Sequence, residues 1–260
     1  MTETGRIDTR ITDGIGWLVI DNQSRRNAIS LAMWGAIPAA LAALEADPAV
    51  RVIVVRGEGL ESFSAGADIS EFAEVRRDAA SSRAYEAVNV AAFAAVRAAA
   101  KPTIAAIAGH CIGGGLALAA SCDLRIAGSD SVFAIPAVRL GIGYPPESVA
   151  DIVRLVGPAR AKELFFTARV MKGEEAGRIG LLNQVTEPGA SIDAATAMAT
   201  IICRNAPLTI RAAKAAIDGA GNPAADDGIR ALTDICFDSA DFAEGRSAFL
   251  EKRAPVFRGV

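Results

Sequence analysis

Two runs dominated by branched and small apolar residues, Val50 to Arg56 and Thr103 to Ala108, each lead into a stretch of small residues and then into a helix-forming segment. A strand with no polar alternation has no face to give to water, so each run belongs in a sheet covered on both sides. Strands of that kind alternating with helices point to an α/β architecture with parallel pairing.

The flanking segments fit this plan. Arg6 to Thr12 and Trp17 to Asp21 read as strands, and the Asp13-Gly14 signal between them predicts a hairpin. Ser30 is placed to cap a helix whose inner face is Leu31, Trp34, Ile37, Leu41 and Leu44, with Pro38 an expected irregularity. Tyr85, Val88, Ala92, Phe93 and Val96 mark a second helix face, which Lys101-Pro102 ends. Short strands are expected at Asp123 to Ala127 and Ser131 to Phe133, after an alanine- and leucine-rich helix opened by Gly113 to Gly115. Strand signals fade near Gly189. The chain is therefore divided into an α/β core, residues 1–190, and a helical tail, residues 191–260, whose small apolar faces suit oligomerisation.

Composition narrows the function classes. With 52% apolar residues the 260-residue chain has ample core. Its 27 basic and 30 acidic residues are mixed, with a net charge of -3, and no basic run is present to hold a nucleic-acid backbone. No stretch has the roughly 18–20 apolar residues of a membrane span, and the N-terminus lacks an apolar leader core, so a cytoplasmic protein is expected. Cys111, Cys122, Cys203 and Cys236 have neither metal-knuckle nor disulfide-framework spacing and read as buried or incidental thiols. No dinucleotide or Walker motif follows a strand, so neither a metal nor a nicotinamide cofactor is implied.

Two loops carry the chemistry. Ser62-Phe63-Ser64-Ala65-Gly66-Ala67-Asp68-Ile69-Ser70 follows the first buried strand; its small residues allow close backbone approach, and Asp68 can cap the next helix. Gly109-His110-Cys111-Ile112-Gly113-Gly114-Gly115 follows the second, and places free amides at a helix start with the positive end of the dipole behind them. Either loop alone reads equally well as tight packing.

Together they resemble the crotonase superfamily, the enoyl-CoA hydratase and isomerase group. Arg26-Asn27-Ala28-Ile29-Ser30 resembles the family's N-A-L segment, Phe63 to Asp68 its A-G-A-D loop, and Gly113 to Gly115 its glycine run. Leu140-Gly141, Arg154 to Gly157 and Gly180 to Val185 fall on further landmarks. The resemblance implies a spiral of repeated ββα units with C-terminal helices, assembled as a homotrimer or a dimer of trimers. It also implies a substrate that is an acyl thioester of coenzyme A, with no other cofactor. Ala67 and Gly114 would supply the two N–H groups of an oxyanion hole. Ala65, Asp68, Ile69 and Ser70 would line the coenzyme path, and Arg25 or Arg26 would reach phosphate. Phe249 and Lys252 would complete the site from the tail, in some members from a neighbouring subunit.

Where the family's hydratases carry two glutamates, this chain has Ala117 and Ala137, whose methyl groups transfer no proton. Glu147 is then the nearest acid candidate, against its reading as a solvent-facing helix-start carboxylate, and Tyr144 is a candidate donor to the acyl group. Isomerisation or related enolate chemistry is thus expected over hydration. The alternatives are a catalytically silent acyl-CoA-binding protein, or a decarboxylase or carbon-carbon bond enzyme acting on CoA esters. A spiral-fold serine hydrolase would have to use His110, whose position reads as backbone support.

Overall fold

The computed structural model describes residues 5–260. β1 (Arg6–Thr12) and β2 (Ile15–Asp21) form the expected hairpin, with Asp13 and Gly14 both at positive φ (52° and 81°). This is the backbone hand that matches strand twist in a two-residue turn. Ser30 caps α1 (Leu31–Ala46), its hydroxyl accepting from the Met33 N–H at 3.2 Å. The helix continues through Pro38 without ending there.

Three strand pairs follow: β3 (Val52–Gly57) with β4 (Ser62–Ser64), β5 (Thr103–Ile107) with β6 (His110–Ile112), and β7 (Leu124–Gly128) with β8 (Val132–Ala134). Between the first and second pairs lie α2 (Phe72–Val75) and α3 (Ala79–Arg97); between the second and third lies α4 (Gly114–Ser121). After the third come α5 (Ala137–Leu140), α6 (Pro146–Thr167), β9 (Met171–Lys172), α7 (Gly173–Arg178) and β10 (Gln184–Thr186). Each pair gives one strand to each of two sheets, ordered β1-β2-β3-β5-β7-β10 and β4-β6-β8-β9. Pairing is parallel from β2 through β10, and also along β4-β6-β8. The repeated ββα spiral is therefore present.

The apolar runs find their reason in two cores. Ile53, Val55, Ala105 and Ile107 face one core with Trp34, Phe63, Phe93 and Leu116. The alternate residues Val52, Val54, Ile104 and Ala106 face a second core that also contains Ala195 and Ala199. Those two alanines belong to α8 (Ser191–Cys203), which therefore covers the outer face of the large sheet. Complete burial of each Val or Ile is worth roughly 1.5–3 kcal/mol before entropy is counted. α9 (Pro207–Asp218), α10 (Asp226–Phe237) and α11 (Ala240–Glu251) complete the chain. Cys111 and Cys122 are buried in the core, and burial holds the Cys122 thiol up at about 12. No described helix is long and apolar enough to cross a membrane.

Candidate functional site

The two loops singled out by sequence meet. The first is fixed by Asn27, whose side chain donates to the Ser62 carbonyl at 2.6 Å and the Glu58 carbonyl at 3.0 Å and accepts from the Asn22 N–H at 3.0 Å. Ser64 Oγ donates to the Asn27 carbonyl and accepts from the Gly66 N–H. Ile29 then bonds on either side of Ala67, donating to the Gly66 carbonyl (2.7 Å) and accepting from the Asp68 N–H (3.0 Å). In a parallel bridge of this kind the bonds to Ile29 use the neighbours of Ala67, so its own N–H is turned to the opposite side.

That side holds the glycine run. Gly66, at φ +92°, lies so close to it that a Cβ would stand 2.7 Å from the Ile112 carbonyl oxygen and 3.1 Å from the Gly114 nitrogen. A Cβ on Gly114 would stand 3.6 Å from the Ala67 nitrogen, and one on Gly115 would meet the Ser64 carbonyl at 2.7 Å. Gly113, at φ 55° and ψ -119°, makes a turn that only glycine enters freely. Gly114 opens α4, where the first amides have no partner within the helix. Neither the Ala67 nor the Gly114 N–H takes part in the turn and capping hydrogen bonds around these loops.

Both residues line a cavity of about 100 Å³. Its walls are Ala65, Gly66, Phe72, Phe93, Gly113, Ala117, Pro136, Ala137, Leu140, Ile142, Tyr144 and Pro145, with Arg76, Glu86, Asn89 and Ser148 as polar members. Ala117 and Ala137, the two positions at issue, are thus on the cavity wall and buried. Tyr144 packs edge-on against Phe165 at 5.3 Å, and its hydroxyl lies 3.6 Å from where a Cβ on Gly113 would be. Burial drives its ionisation well above the usual phenol range, so at neutral pH it is a proton donor.

Arg25, Asp68 and Ser70 form one cluster. The Arg25 guanidinium donates to both Asp68 carboxylate oxygens (2.7 and 3.1 Å) and to Ser70 Oγ. Burial alone would raise the Asp68 carboxyl, but hydrogen bonds from Ser70 and the charge of Arg25 hold it below its usual value. Ile69 is exposed beside this cluster. Arg26 contributes its main chain, accepting at its carbonyl from the Ala65 N–H and from Ser62 Oγ.

Four residues weighed from the sequence fall elsewhere. Glu147 is exposed and outside the cavity lining: it lies in the first turn of α6, where the inward position is taken by Ser148, about 100° round the helix. Phe249 and Lys252 stand at the end of α11, exposed and away from this cavity; Phe249 lines a separate groove among α9, α10 and α11. His110 directs Nδ1 to the Glu61 carbonyl at 3.1 Å, which fits backbone support.

Sequence reasoning missed Arg76, Glu86, Asn89 and Ser148. Glu86, Asn89 and Phe93 are spaced i, i+3 and i+7 on α3, a signal for a shared face but not for what that face looks onto.

The chain matches the family model described as enoyl-CoA hydratase/isomerase over residues 10–260. It is 37% identical to a crotonyl-CoA hydratase of Syntrophomonas wolfei, covering 92% of this chain and 93% of that one. It is also 37% identical to a short-chain-enoyl-CoA hydratase of Clostridium acetobutylicum, over 81% of each. The structure superposes on an enoyl-CoA hydratase/carnithine racemase of Magnetospirillum magneticum with a TM-score of 0.92 and 35% identity, covering 99% of this chain and 97% of that one. By sequence and by fold, the chain belongs to the enoyl-CoA hydratase/isomerase family.

Proposed function

We propose that this protein acts on an acyl-CoA, holding the thioester oxygen between the N–H groups of Ala67 and Gly114 as the acyl group becomes an enolate, and that its reaction is not standard water addition. The observation that carries the reading is a pair of uncommitted amides facing one cavity whose wall bears methyl groups at 117 and 137. Fixed donors aimed at a developing oxyanion typically lower the barrier by about 3–4 kcal/mol each. Water addition also needs carboxylates within reach of water and substrate carbons. The curated relatives are hydratases by name, which supports the acyl-CoA substrate; the two alanines are the reason for proposing a different reaction here.

Within the family, double-bond isomerisation needs a single carboxylate that takes the proton from the α carbon and returns it at the γ carbon. It is the reading favoured for this chain, and it requires Glu147 to turn inward from the first turn of α6, since no carboxylate lines the cavity beside the amides. Incubation with a 3-enoyl-CoA should give the conjugated 2-enoyl-CoA without accumulation of 3-hydroxyacyl-CoA. No conversion across short and medium chain lengths sinks isomerisation. A second reading rests on Tyr144: a half-buried, protonated phenol near the glycine run suits an enolate that is formed by breaking a carbon-carbon bond and then only needs a proton. Mass spectrometry of malonyl- and methylmalonyl-type CoA esters after incubation separates the two, since loss of carbon dioxide appears only under the second.

A further inference from the structure

We propose that the acyl group for which this cavity is built carries a hydroxyl at the end away from the thioester, received by Arg76, Glu86 and Asn89. The proposal rests on the acyl-CoA reading and names the substrate class of the same site.

α3 measures the cavity. Phe93 packs edge-on against Trp34 at 5.3 Å, and a Cβ on Gly114 would lie 3.1 Å from the same indole, so the Phe93 end of the helix adjoins the two amides. Glu86 lies seven residues earlier on the same face, about 10 Å away along the axis. Between them the wall is apolar, with Phe72, Ala117, Ala137 and Ile142 suited to a hydrocarbon chain.

The far end is polar and built. The Arg76 guanidinium stands 5.1 Å from the centroids of both Phe72 and Tyr85, and donates to Glu86 Oε1 at 2.6 Å. Its side chain is only 12% exposed and that of Glu86 29%. Beside them Asn89 Oδ1 is buried and makes no hydrogen bond of ordinary length, only a longer interaction with the Tyr85 hydroxyl. An acyl chain ending in a methyl group would strip water from this pair and leave the Asn89 oxygen unmatched. A carboxylate would meet the negative charge of Glu86, since the pair is neutral as a whole. A hydroxyl accepts from the guanidinium and donates to Glu86 or Asn89 Oδ1, which satisfies the site. The distance from the amides makes these groups recognition elements, one end of the substrate away from the reacting carbons.

Calorimetric titration of the full chain with matched pairs tests this: butyryl- against 4-hydroxybutyryl-CoA, and hexanoyl- against 6-hydroxyhexanoyl-CoA, with adipoyl-CoA as the anionic comparison. The hydroxylated thioester of one pair should bind at least about tenfold tighter than its parent. The ratio should fall toward one in Glu86→Leu and in Asn89→Leu, two variants so that one failing to fold leaves the other to decide. Equal or tighter binding of the parent in both pairs overturns the proposal, as does a ratio that survives both substitutions or adipoyl-CoA binding tightest. Absence of binding by every thioester overturns the acyl-CoA reading itself, a result distinct from binding without preference.

Discussion

Gly66 shows how much of this site depends on single atoms. At φ +92°, with 2.7 Å between a would-be Cβ and the Ile112 carbonyl oxygen, it allows two loops to close that any side chain would hold apart. Gly66→Ala is expected to lose about 2–3 kcal/mol of stability from backbone strain and collision, read as a lowered midpoint in urea. The two tyrosines, Tyr85 and Tyr144, offer a second check. Burial raises both phenols above 10, and for Tyr85 interactions with Trp34 and Asn89 oppose part of that rise. The neutral phenols therefore contribute stability that is fully present below pH 10 and is lost as pH climbs through the folded-state values. Absorbance at 295 nm should show little tyrosinate at pH 10 in the native protein and about half of the full signal in denaturant. The Ala67 and Gly114 positions could be singled out in sequence only through the resemblance that their two loops carry together, since either loop alone reads as tight packing. For Glu147 two readings stood open, because sequence places a residue in a helix turn without giving that turn's phase against the cavity; its exposure fits the solvent-facing one, and Ser148 takes the inward direction.

Among the elements, α3 and α6 are the walls that aim side chains into the cavity, and Asp151 ties them together. This carboxylate on α6, only 3% exposed, accepts from Arg97 of α3 at 2.6 Å, from Ser121 of α4 at 3.3 Å, and from Arg154 on its own helix. Asp151→Ala is expected to cost about 3 kcal/mol, because it leaves Arg97 facing a buried gap. Thermal unfolding measures it, and a loss below about 1 kcal/mol would show that α6 is held by packing alone. The strands β3 and β5, the cap of α1 and the hairpin were readable because each is decided within a few residues. Sheet order was not, since β3 pairs with β5 across about fifty residues and nothing local in either strand names its neighbour. The role of α8 as cover for the outer face of the sheet was hidden for the same reason: Ala195 and Ala199 are too small to announce a core.

For the whole molecule, the tail presents Phe237, Phe249 and Leu250 to solvent at 60%, 84% and 79% exposure. An apolar surface of this kind fits burial against other copies of the chain. A homotrimer or dimer of trimers is the assembly proposed, and it would also bring Phe249 and Lys252 to a neighbour's site. Light scattering after size exclusion should give three or six times 26.8 kDa, and Leu250→Asp should shift the mass downward. A monomer at micromolar concentration would remove both the assembly and the neighbour's contribution. On the proposed reading the chain keeps the amides for an enolate while lacking the carboxylates for water addition. The most direct test of that reading is the steady-state rate of crotonyl-CoA hydration by the wild-type protein. General acid-base groups are worth about 10²–10⁴-fold each, so turnover should fall at least about 10⁴-fold below the ~10 s⁻¹ of an ordinary enzyme. Hydration at or above ~10 s⁻¹ would show that the site adds water without carboxylates at 117 and 137.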